Sequence, residues 1–212
     1  QRELLVNQIS LQSLRYDGKP VPPEPPPPPL QFPIELPEFT PPLRLDLRQL
    51  ELVDVAIVAA PDAAPLVIDR AELVAHWDDD GLVLETLTSR GPGLAVDVSG
   101  SLDPMEAYAL ALKDRIAIDL ASGQALVIAG SIEGDRQRLT LAQALSGAAE
   151  ASVGGSVDEP LVAPHWNLLL QLVELPGALL AEGLDVSLGG RLEASGDLAS
   201  AQLAGSLATT GT

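Results

Sequence analysis

The feature that most constrains this chain is a five-residue pattern with apolar residues at positions one and five and glycine at position three. The copies occupy residues 98–102, 128–132, 153–157, 188–192 and 203–207. Alternate residues of a strand share one face, so each copy places a glycine between two apolar residues. Glycine weakens a strand, and its recurrence indicates bends or close backbone approach. The pattern therefore predicts an array of strands built from one repeated unit.

The composition favours a thin, aliphatic structure. The 212 residues are enough for one large or two small domains, and 46% are hydrophobic but only 3% aromatic. Compact sandwiches of this size usually take core volume from Trp, Tyr and Phe. Aliphatic side chains with few aromatics indicate a shallow sheet face that an apolar ligand can cover, with a thin packed core as the alternative.

Charge and residue usage exclude several classes of function. A net charge of −18 disfavours phosphate backbones and anionic bilayer surfaces, so no nucleic-acid partner is expected; solubility is the plain explanation of the acidity. The absence of cysteine excludes disulfides, thiolate metal sites and a cysteine nucleophile. No apolar run approaches the ~20 residues of a membrane-spanning helix. Because the chain starts at Gln1 and not at Met, we interpret it as a piece of a longer protein, and any targeting or anchoring segment is then expected outside this piece.

Three regions follow from the order of residues. Residues 1–19 form leading strands that end at a turn. Residues 20–42 hold 12 of the 19 prolines and are expected to be an extended linker or insertion, a spacer in preference to a ligand for a proline-binding domain. Residues 43–212 form the β-repeat region of about 12 short strands, with a bulge or corner near Leu52 and Val53 and one short helix at 176–182.

The strand spacing predicts an all-β, mostly antiparallel fold. Open sheets seldom exceed ~10 strands without curling or splitting, so the array either curls into a trough or folds over as a sandwich. From the residues alone, a sandwich is the more usual solution, because two packed layers bury both apolar faces.

No group of residues predicts catalysis. The two histidines, His76 and His165, each precede a tryptophan, and strand alternation then places each imidazole on the polar face. The run Asp78-Asp79-Asp80-Gly81 lacks EF-hand ligand spacing and is interpreted as a hairpin turn. We therefore expect no enzyme activity, no catalytic residues, no metal site and no cofactor.

Several segments resemble the TamB family, the inner-membrane component of the translocation and assembly module. These segments are Leu45-Asp46-Leu47, residues 50–55, 66–69, 73–77 and 82–84, and the Gly100-Ser101-Leu102 copy of the repeat. The leading segment 4–16 with its proline-rich insertion resembles the early periplasmic region of that family, and 184–198 is similar again. The resemblance covers nearly the whole chain.

The resemblance implies a fold and a function. TamB belongs with AsmA-like and bridge-like lipid-transfer proteins, which form an elongated, curled sheet around an open groove, a β-taco. It implies a non-enzymatic conduit that moves phospholipid between the inner and outer membranes of a Gram-negative bacterium and is linked to outer-membrane protein assembly and protein secretion. The chain would be periplasmic, with its inner-membrane anchor and its contact with the outer-membrane barrel protein TamA outside this piece.

One face of the strands is then the candidate lining for phospholipid acyl chains. The predicted lining residues are Leu43, Leu45, Leu47, Val53, Val55, Ile57, Leu94, Val96, Val98, Ile116, Ile118, Trp166, Leu168, Leu170, Val186 and Leu188. Two alternatives remain: a structural or adhesive β-repeat domain, sandwich or solenoid, whose core is dry, and a chaperone-like surface that offers a sheet edge to nascent strands.

Overall fold

The chain folds into strands along almost its whole described length. The computed structural model describes residues 2–17, 32–36, 43–58, 64–105, 107–181 and 183–211. The strands are β1 (Arg2–Val6), β2 (Ile9–Gln12), β3 (Arg15–Asp17), β4 (Leu43–Val58), β5 (Leu66–Asp78), β6 (Gly81–Gly91), β7 (Leu94–Leu102), β8 (Leu110–Asp119), β9 (Ala125–Gly134), β10 (Arg138–Gly147), β11 (Glu150–Asp158), β12 (His165–Pro176), β13 (Val186–Gly196) and β14 (Ala201–Gly211). The prediction of an all-β fold is confirmed.

All fourteen strands belong to one sheet. From β4 to β14 each strand pairs antiparallel with the next strand in the sequence, so the sheet grows by successive hairpins. The leading strands β1, β2 and β3 pair in turn, in parallel, along the 16-residue strand β4. In the path of strands, β1 and β14 lie at opposite ends and do not pair, so the sheet is open. At ~4.8 Å per strand its long dimension is about 50 Å.

The described residues form a single layer with very little core. Strand-to-strand packing is between sheet neighbours, and no second sheet covers either face of the described strands. The buried hydrophobic residues are few and small: Val55, Val58, Ala148, Ala149 and Ala151. No large side chain in the described ranges is fully buried. The trough, and not the sandwich that is commoner for such sequences, is therefore the architecture of this chain.

Several local predictions need correction. About 12 short strands were expected after residue 42, whereas β4–β14 number eleven, and residues 66–78 form one long strand, β5. The helix expected at 176–182 is only a 3₁₀ turn, Gly177–Leu179, that follows Pro176. Leu180 and Ala181 continue with backbone hydrogen bonds to Gly177, but a segment so short has no second turn to propagate.

In place of the single corner expected near Leu52 and Val53, β4 has two irregularities, one before and one after that position. The register between β4 and β5 shifts between Leu47 and Leu50, then continues without interruption to Val53. Asp54 next adopts a left-handed backbone with φ +54°, a conformation that non-glycine residues adopt infrequently. The corner is therefore two irregularities and not one.

The proline-rich region is described only at residues 32–36. There the backbone N–H of Ile34 donates to the carbonyl of Leu161, in the turn between β11 and β12. The extended conformation expected for residues 20–42 otherwise lies outside the described residues. The contact shows that part of this region meets the edge of the sheet far from β4 in strand order.

Aspartates shape the turns along one long edge of the sheet. At the β5–β6 turn the N–H of Asp80 donates to the carboxylate of Asp78 (2.9 Å), which confirms the predicted hairpin. Asp103, Asp135 and Asp197 accept backbone N–H groups in the same way in the β7–β8, β9–β10 and β13–β14 turns. Each carboxylate satisfies amides that the reversing chain leaves without a ladder partner.

Candidate functional site

The strand register assembles apolar side chains into four continuous rows across the sheet. Residues paired across neighbouring strands share a face, so each row can be followed from β4 to β14. The first row is Leu45, Trp77, Leu82, Leu102, Leu110, Gly134, Leu139, Val157, Trp166, Gly196 and Ala201. The second is Leu47, Ala75, Leu84, Gly100, Leu112, Ile132, Leu141, Gly155, Leu168, Ala194 and Leu203. The third is Leu50, Leu73, Leu87, Val98, Asp114, Gly130, Gln143, Val153, Leu170, Leu192 and Gly205. The fourth is Leu52, Ala71, Ser89, Val96, Ile116, Ile128, Leu145, Ala151, Leu172, Gly190 and Leu207.

These four rows define the apolar face. Three of their forty-four positions are polar: Ser89, Asp114 and Gln143, and Asp114 alone is charged. The rows run perpendicular to the strands and therefore along the long dimension of the sheet. An aliphatic surface extends from β4 to β14, and no described residues form a second layer above it.

The opposite face is polar and carries the ion pairs. In the central strands it displays small and charged residues such as Lys113, Arg115 and Glu133. Arg90 crosses from β6 to β7, where it binds the carboxylate of Asp97 at 2.6 Å and the carbonyl of Val96 at 2.9 Å. Such exposed pairs contribute little to stability one by one, but they keep this face hydrated.

Exposure differs between the two faces strand by strand. In β10, Leu139, Leu141 and Leu145 are half-buried, whereas Thr140 and Ala142 between them are exposed. A flat one-layer sheet would expose both faces alike, so the difference is consistent with a sheet that curls around its apolar face. At the far end this protection is lost, and in β14 Leu203 is 70% exposed.

All five repeated glycines lie on the apolar face, as the sequence predicted. They are Gly100, Gly130, Gly155, Gly190 and Gly205. A β-carbon at any of them would overlap with a backbone carbonyl oxygen of the neighbouring strand. At these positions the backbone of the neighbouring strand therefore occupies the space that a β-carbon would need.

Thirteen of the sixteen predicted lining residues lie on the apolar face. Eight of them are members of the rows: Leu45, Leu47, Val96, Val98, Ile116, Trp166, Leu168 and Leu170. Leu94 and Ile118 pair with each other and continue the same face two residues beyond the fourth row. Leu43 precedes Leu45 by two residues, and Val186 and Leu188 precede Gly190 at the same spacing. That these residues line a lipid groove remains a prediction.

The other three residues are not brought into the rows. Val53 directly follows Leu52 in regular strand and pairs with Arg70, so it lies on the opposite face. Val55 and Ile57 follow the left-handed Asp54 and pair with Ile68 and Leu66. Val55 is 3% exposed and belongs to the small core at this corner.

Sequence reasoning missed the middle of the apolar face. Leu139, Leu141 and Leu145 on β10, and Ile128 and Ile132 on β9, are equal members of the rows. Strict alternation in β10 was a usable signal for them. Nothing in the sequence placed Asp114 and Gln143 together, because they are separated by two hairpins and meet only through the register.

The histidines lie on the polar face, as alternation predicted. His76 pairs with Asp46, and its Nδ1 lies 3.4 Å from Glu85. His165 pairs with Asp158 on β11, and it lies seven strands away from His76. The adjacent Trp77 and Trp166 are members of the first row. Within the part of the chain that the structure describes, no three His, Asp or Glu residues are arranged to hold a metal ion.

Comparisons with known proteins give one match. The family model described as TamB, N-terminal domain, matches residues 19–211, which is most of the chain. Neither the curated proteins nor the solved structures contain a match. Among the helical segments that the structure describes, none has the length and apolar character needed to cross a bilayer.

Proposed function

Because this chain belongs to the TamB family of envelope transport and assembly components, we propose that it is a segment of a lipid-transfer conduit. Phospholipid acyl chains lie on the apolar face and move along its four rows, while the polar face stays in water. The conduit connects the inner and outer membranes across the periplasm and serves outer-membrane assembly.

The uncovered apolar face is the observation that carries this proposal. Its rows consist of Leu, Ile, Val, Ala and Gly with few exceptions, yet the described residues supply no layer that covers them. Monomeric soluble proteins seldom leave so large a contiguous apolar surface without an occupant. Covering it with acyl chains gains ~0.8 kcal/mol for each CH₂ removed from water.

The shape of the face suits movement better than fixed binding. The rows run the length of the sheet, and aliphatic neighbours repeat at each strand step. An acyl chain that advances by one strand along an aliphatic stretch of a row exchanges one set of methyl contacts for a similar set, so within such a stretch no position holds it much more tightly than the next.

The proposal extends to partners beyond the described residues. Members of this family work with outer-membrane proteins. We propose that TamA is that partner here, and that both this contact and the inner-membrane anchor belong to parts of the protein outside these residues. No catalytic step is needed, since lipid movement along a surface breaks no bond.

The rival is a structural or adhesive β-repeat with a dry core. It requires large side chains packed out of water, whereas the buried hydrophobic residues are two valines and three alanines in the described ranges. The two readings differ in one measurable property, because only the conduit carries lipid.

Native mass spectrometry of the purified protein, with lipid extraction of the same sample, tests the proposal. Wild type is expected to carry phospholipid. Leu168→Arg places a charge in the second row and is expected to remove most of that lipid while the far-UV circular dichroism keeps its strand signal.

Asn167→Arg is the matched control, because it adds the same charge one residue away on the exposed, polar face. It should leave the lipid content unchanged. A stably folded wild type that carries no lipid, and takes up none from added vesicles, would refute the conduit and favour the structural repeat.

A further inference from the structure

A polar pair interrupts the middle of the apolar face. Gln143 Nε2 donates a 2.7 Å hydrogen bond to Asp114 Oδ1, although the two residues lie on β10 and β8 with β9 between them. Both side chains belong to the third row, where Val98 precedes Asp114 and Val153 follows Gln143. The pair therefore lies among aliphatic residues on every side of the row.

Gly130 makes this contact possible. It is the β9 member of the row, directly between the two residues. A β-carbon at Gly130 would lie 2.6 Å from both Cδ and Oε1 of Gln143, so any side chain there would displace the amide. The amide thus occupies the space that a side chain of Gly130 would take, and it reaches the carboxylate across the glycine.

The pair offers acceptors without enough donors. Gln143 Oε1 is buried and accepts no hydrogen bond within the described structure. Its Nε2 must face Asp114, because the reversed amide would set two oxygens against each other. None of the ion pairs of the described residues includes Asp114, and its neighbours Lys113 and Arg115 alternate to the other face.

An acceptor-rich site within an apolar surface calls for a donor that also carries positive charge. Within the described structure Asp114 is half-buried among aliphatic residues and has no counter-charge, and the buried amide oxygen of Gln143 has no donor, so both groups gain from a partner. A primary ammonium group supplies three donors and one positive charge. It can serve the second Asp114 oxygen and, after a small rotation of the amide over Gly130, Gln143 Oε1.

We propose that Asp114 and Gln143 form a headgroup site for a phospholipid with a primary ammonium group, such as one with an ethanolamine headgroup. This inference rests on the proposed function, since the acyl chains of the same lipid occupy the neighbouring rows. The carboxylate and the net charge of −18 both disfavour lipids whose headgroup is only anionic. A choline headgroup has the charge but no N–H donor, so it binds less well than ethanolamine.

Competition among lipids of identical acyl chains tests the site. The full chain is incubated with vesicles that contain equal amounts of ethanolamine, choline and glycerol phospholipids, re-isolated, and its bound lipid is extracted and quantified by headgroup. Wild type should enrich ethanolamine lipid roughly 3- to 10-fold over glycerol lipid, which corresponds to the net contribution of about one ordinary hydrogen bond. Asp114→Asn and Gln143→Leu should abolish the enrichment while total bound lipid is retained.

Glu133→Gln is the control variant, because it removes the same charge from the polar face of β9. It should keep the wild-type headgroup ratio. Wild type that binds lipid without headgroup preference, or Asp114→Asn with an unchanged ratio, would overturn the headgroup site and leave the conduit standing. Wild type that binds no lipid at all would overturn both.

Discussion

Leu168 lies over Gly155 in the second row, with its Cδ2 atom 2.8 Å from the place that a β-carbon of Gly155 would occupy. The backbone of Asn167 approaches the same place even more closely. The glycine thus provides the space that the leucine of the next strand fills. Gly100 and Leu112 repeat the arrangement on β7 and β8, with the same 2.8 Å separation.

Gly155→Ala is expected to destabilise the protein by about 1–3 kcal/mol, because backbone atoms as well as Leu168 must move. Gly154→Ala is the matched control one residue away. Its β-carbon would have only the carbonyl of Leu141 nearby, at 3.7 Å, so its stability should stay close to that of wild type. Urea unfolding of the three proteins measures the difference, and equal midpoints would contradict the role assigned to Gly155.

Trp77 and Trp166 should report lipid on the apolar face. They are the two tryptophans of the chain, and both are members of the first row. Phospholipids with brominated acyl chains should therefore quench tryptophan fluorescence, whereas unbrominated lipids should not. Trp166→Phe isolates the signal of Trp77, which should remain quenchable. Fluorescence that brominated lipid leaves unchanged would mean that acyl chains do not reach this row.

The turns that contain Asp135 and Asp197 should contribute less to the stability of the protein at acidic pH. Hydrogen bonds from the N–H groups of Gln137 and Arg138 lower the pKa of Asp135, and those of Ala199 and Ser200 lower the pKa of Asp197. A carboxylate whose pKa is lower when folded stabilises the protein above its unfolded pKa, near 3.8, and loses that stabilisation as the pH falls through the folded value.

The double variant Asp135→Asn/Asp197→Asn lacks this pH-dependent stabilisation. Its melting temperature should lie below that of wild type near neutral pH, and the gap should narrow once the pH is below 3.8. Thermal unfolding of both proteins across this range is the measurement. A gap of constant size down to the most acidic sample would show that the lowered pKa values do not contribute.

The Arg90–Asp97 pair should contribute modestly and depend on salt. Their side chains are 47% and 38% exposed, so solvent screens the 2.6 Å contact. A double-mutant cycle with Arg90→Gln and Asp97→Asn should give a coupling of about 0.5–1 kcal/mol at low ionic strength, and less in high salt. A coupling that high salt leaves unchanged would show that the interaction is not mainly electrostatic.

The repeated glycines and the alternation were enough to predict the all-β class and the apolar face. Period-two patterns decide which residues share a face, and that is a local property of each strand. Gly100, Gly130 and Gly155 therefore fell where the sequence placed them. The resemblance to TamB, and not the pattern, favoured the open trough over the sandwich.

What the sequence missed depends on register or on local backbone. Val53 was assigned to the apolar face because the sequence analysis placed a change of face between Leu52 and Val53, whereas the pairing is regular there and the shift follows Leu47. The Asp114–Gln143 pair depends on two registers in succession, β8 with β9 and β9 with β10. A one-residue slip in either would send one partner to the opposite face.

The single layer of successive hairpins also governs how the protein fluctuates. Each strand from β5 to β13 is held almost entirely by its two neighbours, so free energy is shared only between adjacent units, as in a one-dimensional Ising chain. Rotation at one hairpin boundary needs no rearrangement at the next. The curvature of the sheet is then a sum of nearly independent small angles between neighbouring strands. The open trough can therefore widen or narrow without any strand unfolding.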